Sequence, residues 1–374
     1  MLIARRKLVI GVVGLAAGGA SFAAVAASCS DDEAPPPSEE GNVLGALAET
    51  VIVPTAQAFG TASASLAASL VAFNAGPTTA TLVAARQAWR DARGAWMRSR
   101  AFAFGPTEEH DGNIDWTPTK PANIDMTIAS KTSFTADDIA ALGTSSKGFL
   151  ALEYLLFDPM ATDDAVLAKL TTAPDAAAKR SYIEALGADL SREAATLQTK
   201  WEAFGPEIAS AGNGSNVYVH AQTAIDDIVG ELVFQVDVTG NEGIAAPLGL
   251  KTGGTVQPDL EIARLSDNTL DDVTNALVGI ENIWDGTFNG ADDLGIDDLV
   301  RKKSASLADD VRAKIAAAKS AVQAVPPPMR TALTSATPSL QAAFDAIIAL
   351  KKVLAADVVT ALGVTLSVND NDGD

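Results

Sequence analysis

The chain has 374 residues, 48% of them hydrophobic, and its 27 basic and 47 acidic side chains leave a formal charge of −20 at pH 7. Acidity on that scale excludes nucleic acid and anionic lipid headgroups as electrostatic partners. A single cysteine excludes a disulfide framework, and two histidines, His110 and His220, exclude a His-rich zinc site.

Arg5, Arg6 and Lys7 open the chain, and Leu8 to Ser28 is uncharged and rich in Ala, Val, Gly and Leu. A basic start, an apolar run and small residues at the cut site predict a signal peptide over 1–28. Ala26-Ala27-Ser28-Cys29 looks like a bacterial lipobox, with Cys29 carrying the acyl chains after cleavage. An uncleaved membrane anchor and a plain secretory signal are the competing readings. The placement of the lone cysteine favours the lipid, and with it the membrane as a partner. The expected location is the cell envelope, on the periplasmic side of the outer membrane or at the cell surface. Loss of Arg5, Arg6 and Lys7 takes the charge from −20 to −23. Residues 29–41 are acidic and proline-rich, which predicts an extended, self-repelling tether ahead of a folded part starting near Asn42. No later segment reads as long and apolar enough to cross a bilayer.

Apolar residues then recur at three and four. In 78–102 the positions Leu82, Ala85, Trp89, Ala92 and Trp96 form one helical stripe. Further helices are predicted at 43–75, 145–157, 175–203, 216–238, 260–284, 292–324 and 327–357. The segments 104–144 and 239–259 carry the Gly and Pro residues of long irregular loops. The expected fold is all-α, with two related antiparallel helical bundles over 42–171 and 172–374.

Most chemical motifs are missing. There is no Gly-x-Ser-x-Gly turn, no phosphate loop and no free cysteine nucleophile once Cys29 is acylated. His110 lies in the acidic stretch Thr107–Asp111, which could hold a cation but reads first as a solvated loop. His220 reads as structural, and Asp370–Asp374 as a solvated tail rather than a calcium loop. The informative run is Gly148-Phe149-Leu150-Ala151-Leu152-Glu153-Tyr154-Leu155-Leu156-Phe157, where Glu153 stands in an otherwise apolar helix. A buried carboxylate needs a partner or becomes neutral. A metal, backbone N–H groups or an arginine among Arg90, Arg93, Arg98 and Arg100 could supply it.

At these residues the sequence resembles the imelysin family. The matching pieces run in order through Trp89, Arg93 and Trp96, then Ala101–Pro106, Ile114–Pro118 and Gly148–Phe157. Ala246–Gly249, Glu261–Ser266, Gly279–Gly286, Leu362–Val364 and Asp372–Asp374 follow. The resemblance implies an envelope lipoprotein of two related helical bundles, associated with bacterial iron uptake and its components; some members have been classed as metallopeptidases. The family signature is Gly-x-His-x-x-Glu, with iron or another divalent cation as the implied ligand. Here Gly148 and Glu153 hold their places, but Leu150 stands at the His position, and Arg100 where the family pattern has an acid. These departures suggest an internal Arg100–Glu153 ion pair in place of the cation, and a binding or accessory role rather than an enzymatic one. The alternatives are a cation binder using Glu153 with His110 and Asp115, and a metallopeptidase. If Gly148–Glu153 and Gly279–Trp284 are repeats, Glu153, Asp115, Glu261, Arg264 and Ser266 would approach one another in an interdomain cleft.

Overall fold

In the computed structural model, which describes residues 38–366, the first helix begins inside the segment read as tether. The expected signal peptide, Cys29 and the terminal aspartates lie outside the described residues. Ser38 caps helix α1 (Glu39–Ala75, with a π-helical turn at Leu47–Ile52) by accepting from the Gly41 N–H at 3.1 Å. Glu39 and Glu40 occupy its first turn, where the helix dipole favours acids. Helical structure is thus present ahead of the expected start near Asn42, because these acids serve a helix end. By length and composition α1 could cross a membrane, contrary to the sequence reading, yet Leu44, Leu47, Leu66, Leu70 and Phe73 are wholly buried in protein.

A tight turn at Gly76–Thr78 leads into α2 (Thr79–Ser99), and the stripe from Leu82 to Trp96 is buried throughout. The segment 104–144 contains three short helices, α3 (Asp111–Ile114), α4 (Pro121–Ser130) and α5 (Ala136–Ala140). Pro121 sits in the first turn of α4, where its missing N–H costs nothing. There follow α6 (Gly148–Leu156), α7 (Asp163–Thr171) and the long α8 (Ala176–Ala209). Helix α8 lays Tyr182, Leu186, Leu190, Leu197 and Trp201 into the core and packs along α1, α6 and α7. Although it follows residue 172, its contacts are thus with the N-terminal helices.

The second group opens with α9 (Ala221–Gly240), which continues through a π-helical turn at Asn241–Ala245 to Leu248. Gly249, at φ 79°, ends it, so the irregular segment starts ten residues later than the expected Thr239. Next come α10 (Thr269–Asp285) and a two-stranded antiparallel hairpin, β1 (Thr287–Phe288) and β2 (Ala291–Asp292). The predicted helix 292–324 divides into α11 (Ile296–Lys303) and α12 (Ala305–Gln323), because Ser304 is extended and caps Leu307. Helix α13 (Met329–Ser335) and α14 (Thr337–Val353), which continues through a π-helical turn at Leu354–Val358 to Leu362, close the fold, and α9, α10, α12 and α14 pack together. The architecture is all-α, and this hairpin is the only sheet among the described residues.

The two groups meet where α2 crosses α10. A Cβ on Gly279 would lie 2.1 Å from the Arg98 carbonyl oxygen, so the two backbones touch there. Arg98 Nε donates to Asn275 Oδ1 at 2.9 Å beside that contact. Gly148 serves a different purpose. At φ 74° it starts α6 with its Cα against Ile114, whose carbonyl oxygen a Cβ would approach to 2.3 Å. Gly279→Ala should destabilise the protein by about 3 kcal/mol or more, since backbone cannot yield as a side chain can. Gly45→Ala, in open space on α1, should be neutral or stabilising by about 1 kcal/mol. Denaturant melts of the two variants check this contrast.

Candidate functional site

Helix α6 is buried on nearly every side, and Glu153 within it is only 3% exposed. Its partner is backbone and hydroxyl, not arginine. Glu153 Oε1 accepts from the Ser266 N–H at 2.9 Å, the Ser266 hydroxyl at 2.6 Å and the Leu265 N–H at 3.2 Å. Burial pushes the Glu153 carboxyl above its ordinary range; these donors, and the nearby charge of Arg93, pull it back. Hydrogen bonds to the ionised form are the stronger kind, which is how one oxygen gathers three donors.

The donors come from 261–268, a stretch predicted to be helical that folds instead as a series of turns. Two of its N–H groups are turned to Glu153, and Asp267 adopts a left-handed φ of 58°, which a short polar residue tolerates. Arg90 on α2 donates to the Ser266 carbonyl at 3.0 Å, and Arg330 on α13 pairs with Asp267 at 3.0 Å. The segment thus links α2, α6 and α13.

Beside it lies a fully buried guanidinium. Arg93 Nε donates to Asp272 Oδ2 at 2.8 Å and Nη1 to Asp115 Oδ1 at 3.0 Å, while Trp96 Nε1 donates to Asp115 Oδ2 at 3.2 Å. Burial opposes the charge on Arg93, but Asp115 and Asp272 outweigh it and hold the group protonated. Burial raises the Asp272 carboxyl, with Arg93 acting against it. Asp272 was missed from sequence. The available signal was its place on the buried stripe Asp272, Ala276, Gly279 and Ile283 of α10, where it is the only charge.

The remaining candidates disperse. Arg100 pairs with Asp111 at 2.6 Å and lies over Trp96, so the expected Arg100–Glu153 pair is not formed. Seven residues separate it from Arg93, about 10 Å along a helix, and that displacement carries it to the other end of the α2 contact. His110 Nδ1 meets Glu193 Oε2 at 2.6 Å, against α8. Glu261 is buried with both carboxylate oxygens outside hydrogen-bond geometry, and its charged neighbours are Asp267, Arg330 and Arg264. Leu150, where the resemblance implies a histidine, is buried with 5% exposure. Of the predicted set, the structure therefore brings together Glu153 with Ser266, and Asp115 with Arg93. Among the described residues no group of three or more His, Cys, Asp or Glu is placed to hold a metal ion. The donor chemistry agrees: one Glu153 oxygen is already saturated, Leu150 offers no lone pair, and the charge between Asp115 and Asp272 is a guanidinium.

Arg93→Met should cost about 3–5 kcal/mol by stranding Asp272 in the core, and adding Asp272→Asn should recover part of it. A double-mutant cycle on urea melts measures that coupling. Burial, helped by the Asp267 charge, raises Glu261 from 4.5 to about 7. The folded protein thus binds this proton more tightly than the unfolded chain, so stability falls as pH rises from about 4.5 to 7. Glu261→Gln removes the loss. It should add about 2–3 kcal/mol at pH 8 and nothing at pH 4, read by melts at both values.

The family described as Imelysin, peptidase M75, matches residues 52–356. An iron-regulated protein A of Synechococcus elongatus is 29% identical over 299 residues, spanning 77% of this chain and 76% of the relative. The crystal structure described as a putative iron-regulated protein A precursor from Parabacteroides distasonis superposes with a TM-score of 0.76 at 21% identity, covering 89% of this chain and 97% of that one. An imelysin-like protein from Psychrobacter arcticum gives 0.70 at 16% identity, over 88% and 96% of the two chains. Both share the fold.

Proposed function

Since this chain belongs to the imelysin family, we propose that it serves iron acquisition as an envelope-tethered binding or accessory protein without peptidase activity. The relative from Synechococcus elongatus, named iron-regulated protein A, supports the link to iron. The tether is supported by the basic-apolar start, the lone Cys29 and the acidic run behind it.

One observation carries the non-catalytic half of the reading: Glu153 is held by Ser266 and Leu265 rather than set opposite a second ligand. A hydrolytic metal needs about three protein ligands and a water it can activate. Glu153 with Leu150 one turn away cannot start such a set. The link to iron is therefore read as recognition of a partner or an iron chelate by shape and hydrogen bonds, rather than by coordination to Glu153.

Calorimetric titration of the full-length chain with iron, copper and zinc tests this. Wild type should show no saturable binding dependent on Glu153. Leu150→His should create a weak site that disappears in the double variant with Glu153→Ala. Wild-type metal binding that is lost in Glu153→Ala would overturn the reading, as would chelator-sensitive peptidase activity restored by added metal.

A further inference from the structure

A cavity of about 550 Å³ lies beside α4, the C-terminal turn of α6, α7 and the start of α8, closed on one side by Leu265. Its volume falls within the range of small-molecule sites. The floor is apolar: Leu155, Phe157, Val166 and Leu170 are each at least nine-tenths buried, with Leu265 beside them.

The charges around it do not cancel. Lys169 is paired with Asp158 at 2.7 Å, and Lys179 with Asp175 at 3.0 Å. Arg86 and Arg90 approach the Phe157 ring, at 5.2 and 4.9 Å from its centroid. Arg86 is matched by Asp163, and Arg90 donates to the Ser266 carbonyl; neither of the two lines the cavity. The last acid on the wall is Asp125. Among the described residues it accepts only from the Tyr154 hydroxyl, at 2.9 Å, a neutral donor that cannot offset its charge. Its other lone-pair positions stay open. The residues lining the cavity therefore carry three acids against two lysines, a net negative charge at the edge of an apolar floor, in a chain whose overall charge of −20 repels anions.

We infer that this cavity is a ligand site, separate from the buried Glu153 joint, for a small organic amine: an apolar body on Leu155, Val166 and Leu170 with one protonated nitrogen on Asp125. A bare metal ion does not fit, because among the described residues the lining carboxylates do not gather into a group of three or more that could hold one. A carboxylate does not fit, because the lysines are already paired. The site meets the buried Glu153 joint through Leu265. Its side chain walls the cavity while its N–H donates to Glu153. Tyr154, the neighbour of Glu153 in α6, also lines the cavity.

Titration of the full-length chain with phenethylamine, 2-phenylethanol and 3-phenylpropionate separates the possibilities. Phenethylamine should bind saturably at one site, about tenfold more tightly than the isosteric alcohol, with the propionate weakest. Asp125→Asn should bring the amine to the level of the alcohol, and Val166→Trp should abolish binding of both. Asp125 is exposed, so its substitution leaves the fold intact and keeps the test decisive even if Val166→Trp does not fold. The inference fails if phenethylamine shows no saturable binding, if amine and alcohol bind equally to wild type, or if Asp125→Asn leaves the preference unchanged.

Discussion

A guanidinium with no exposed surface is the constraint around which the two helical groups are assembled. Arg93 reaches from α2 to Asp272 on α10 and to Asp115 in the following loop, so three separate stretches must arrive together before its charge is met. Buried ion pairs are poor sources of net stability, because desolvation offsets most of the attraction. They are better at forbidding alternatives: any other register of α2 against α10 leaves a charge alone in the core. The bare backbone of Gly279 against Arg98 makes that one register possible, since a side chain there would hold the helices apart.

The stretch from Glu261 to Asn268 depends on this arrangement. With α10 seated on α2, the turn that precedes it lies within reach of α6. It gives two N–H groups and a hydroxyl to Glu153. Arg90 and Arg330 hold the same turn from the other helices. Glu153 is thereby part of the joint. A group so engaged can report on how the groups are packed, and it is poorly placed to act as a nucleophile, base or first metal ligand.

Some of this was legible in the residues. The apolar stripe of α2, the burial of Glu153 and the all-α class follow from periodicity, because a helix's own geometry decides which side chains share a face. Backbone N–H groups were among the partners open to Glu153, and those are the ones found. The expected pair with Arg100 is not formed, and no arginine takes its place. Spacing along one helix says which residues share a side, but not which partner another segment delivers to them. The helix expected at 260–284 was wrong at its start for a related reason. Its first residues have helical propensity, and tertiary hydrogen bonds override it.

By itself the sequence determined the all-α class, most of the helices and the carboxylate that had to be buried. These are local properties, set by side-chain chemistry and by about 3.6 residues per turn. Only the tertiary structure decided who meets whom: Ser266 with Glu153, Asp272 with Arg93, and α8 with the N-terminal helices. Such pairings join residues far apart in the chain. They are chosen by packing and by the cost of leaving a buried charge unmet, and neither can be read from one segment at a time.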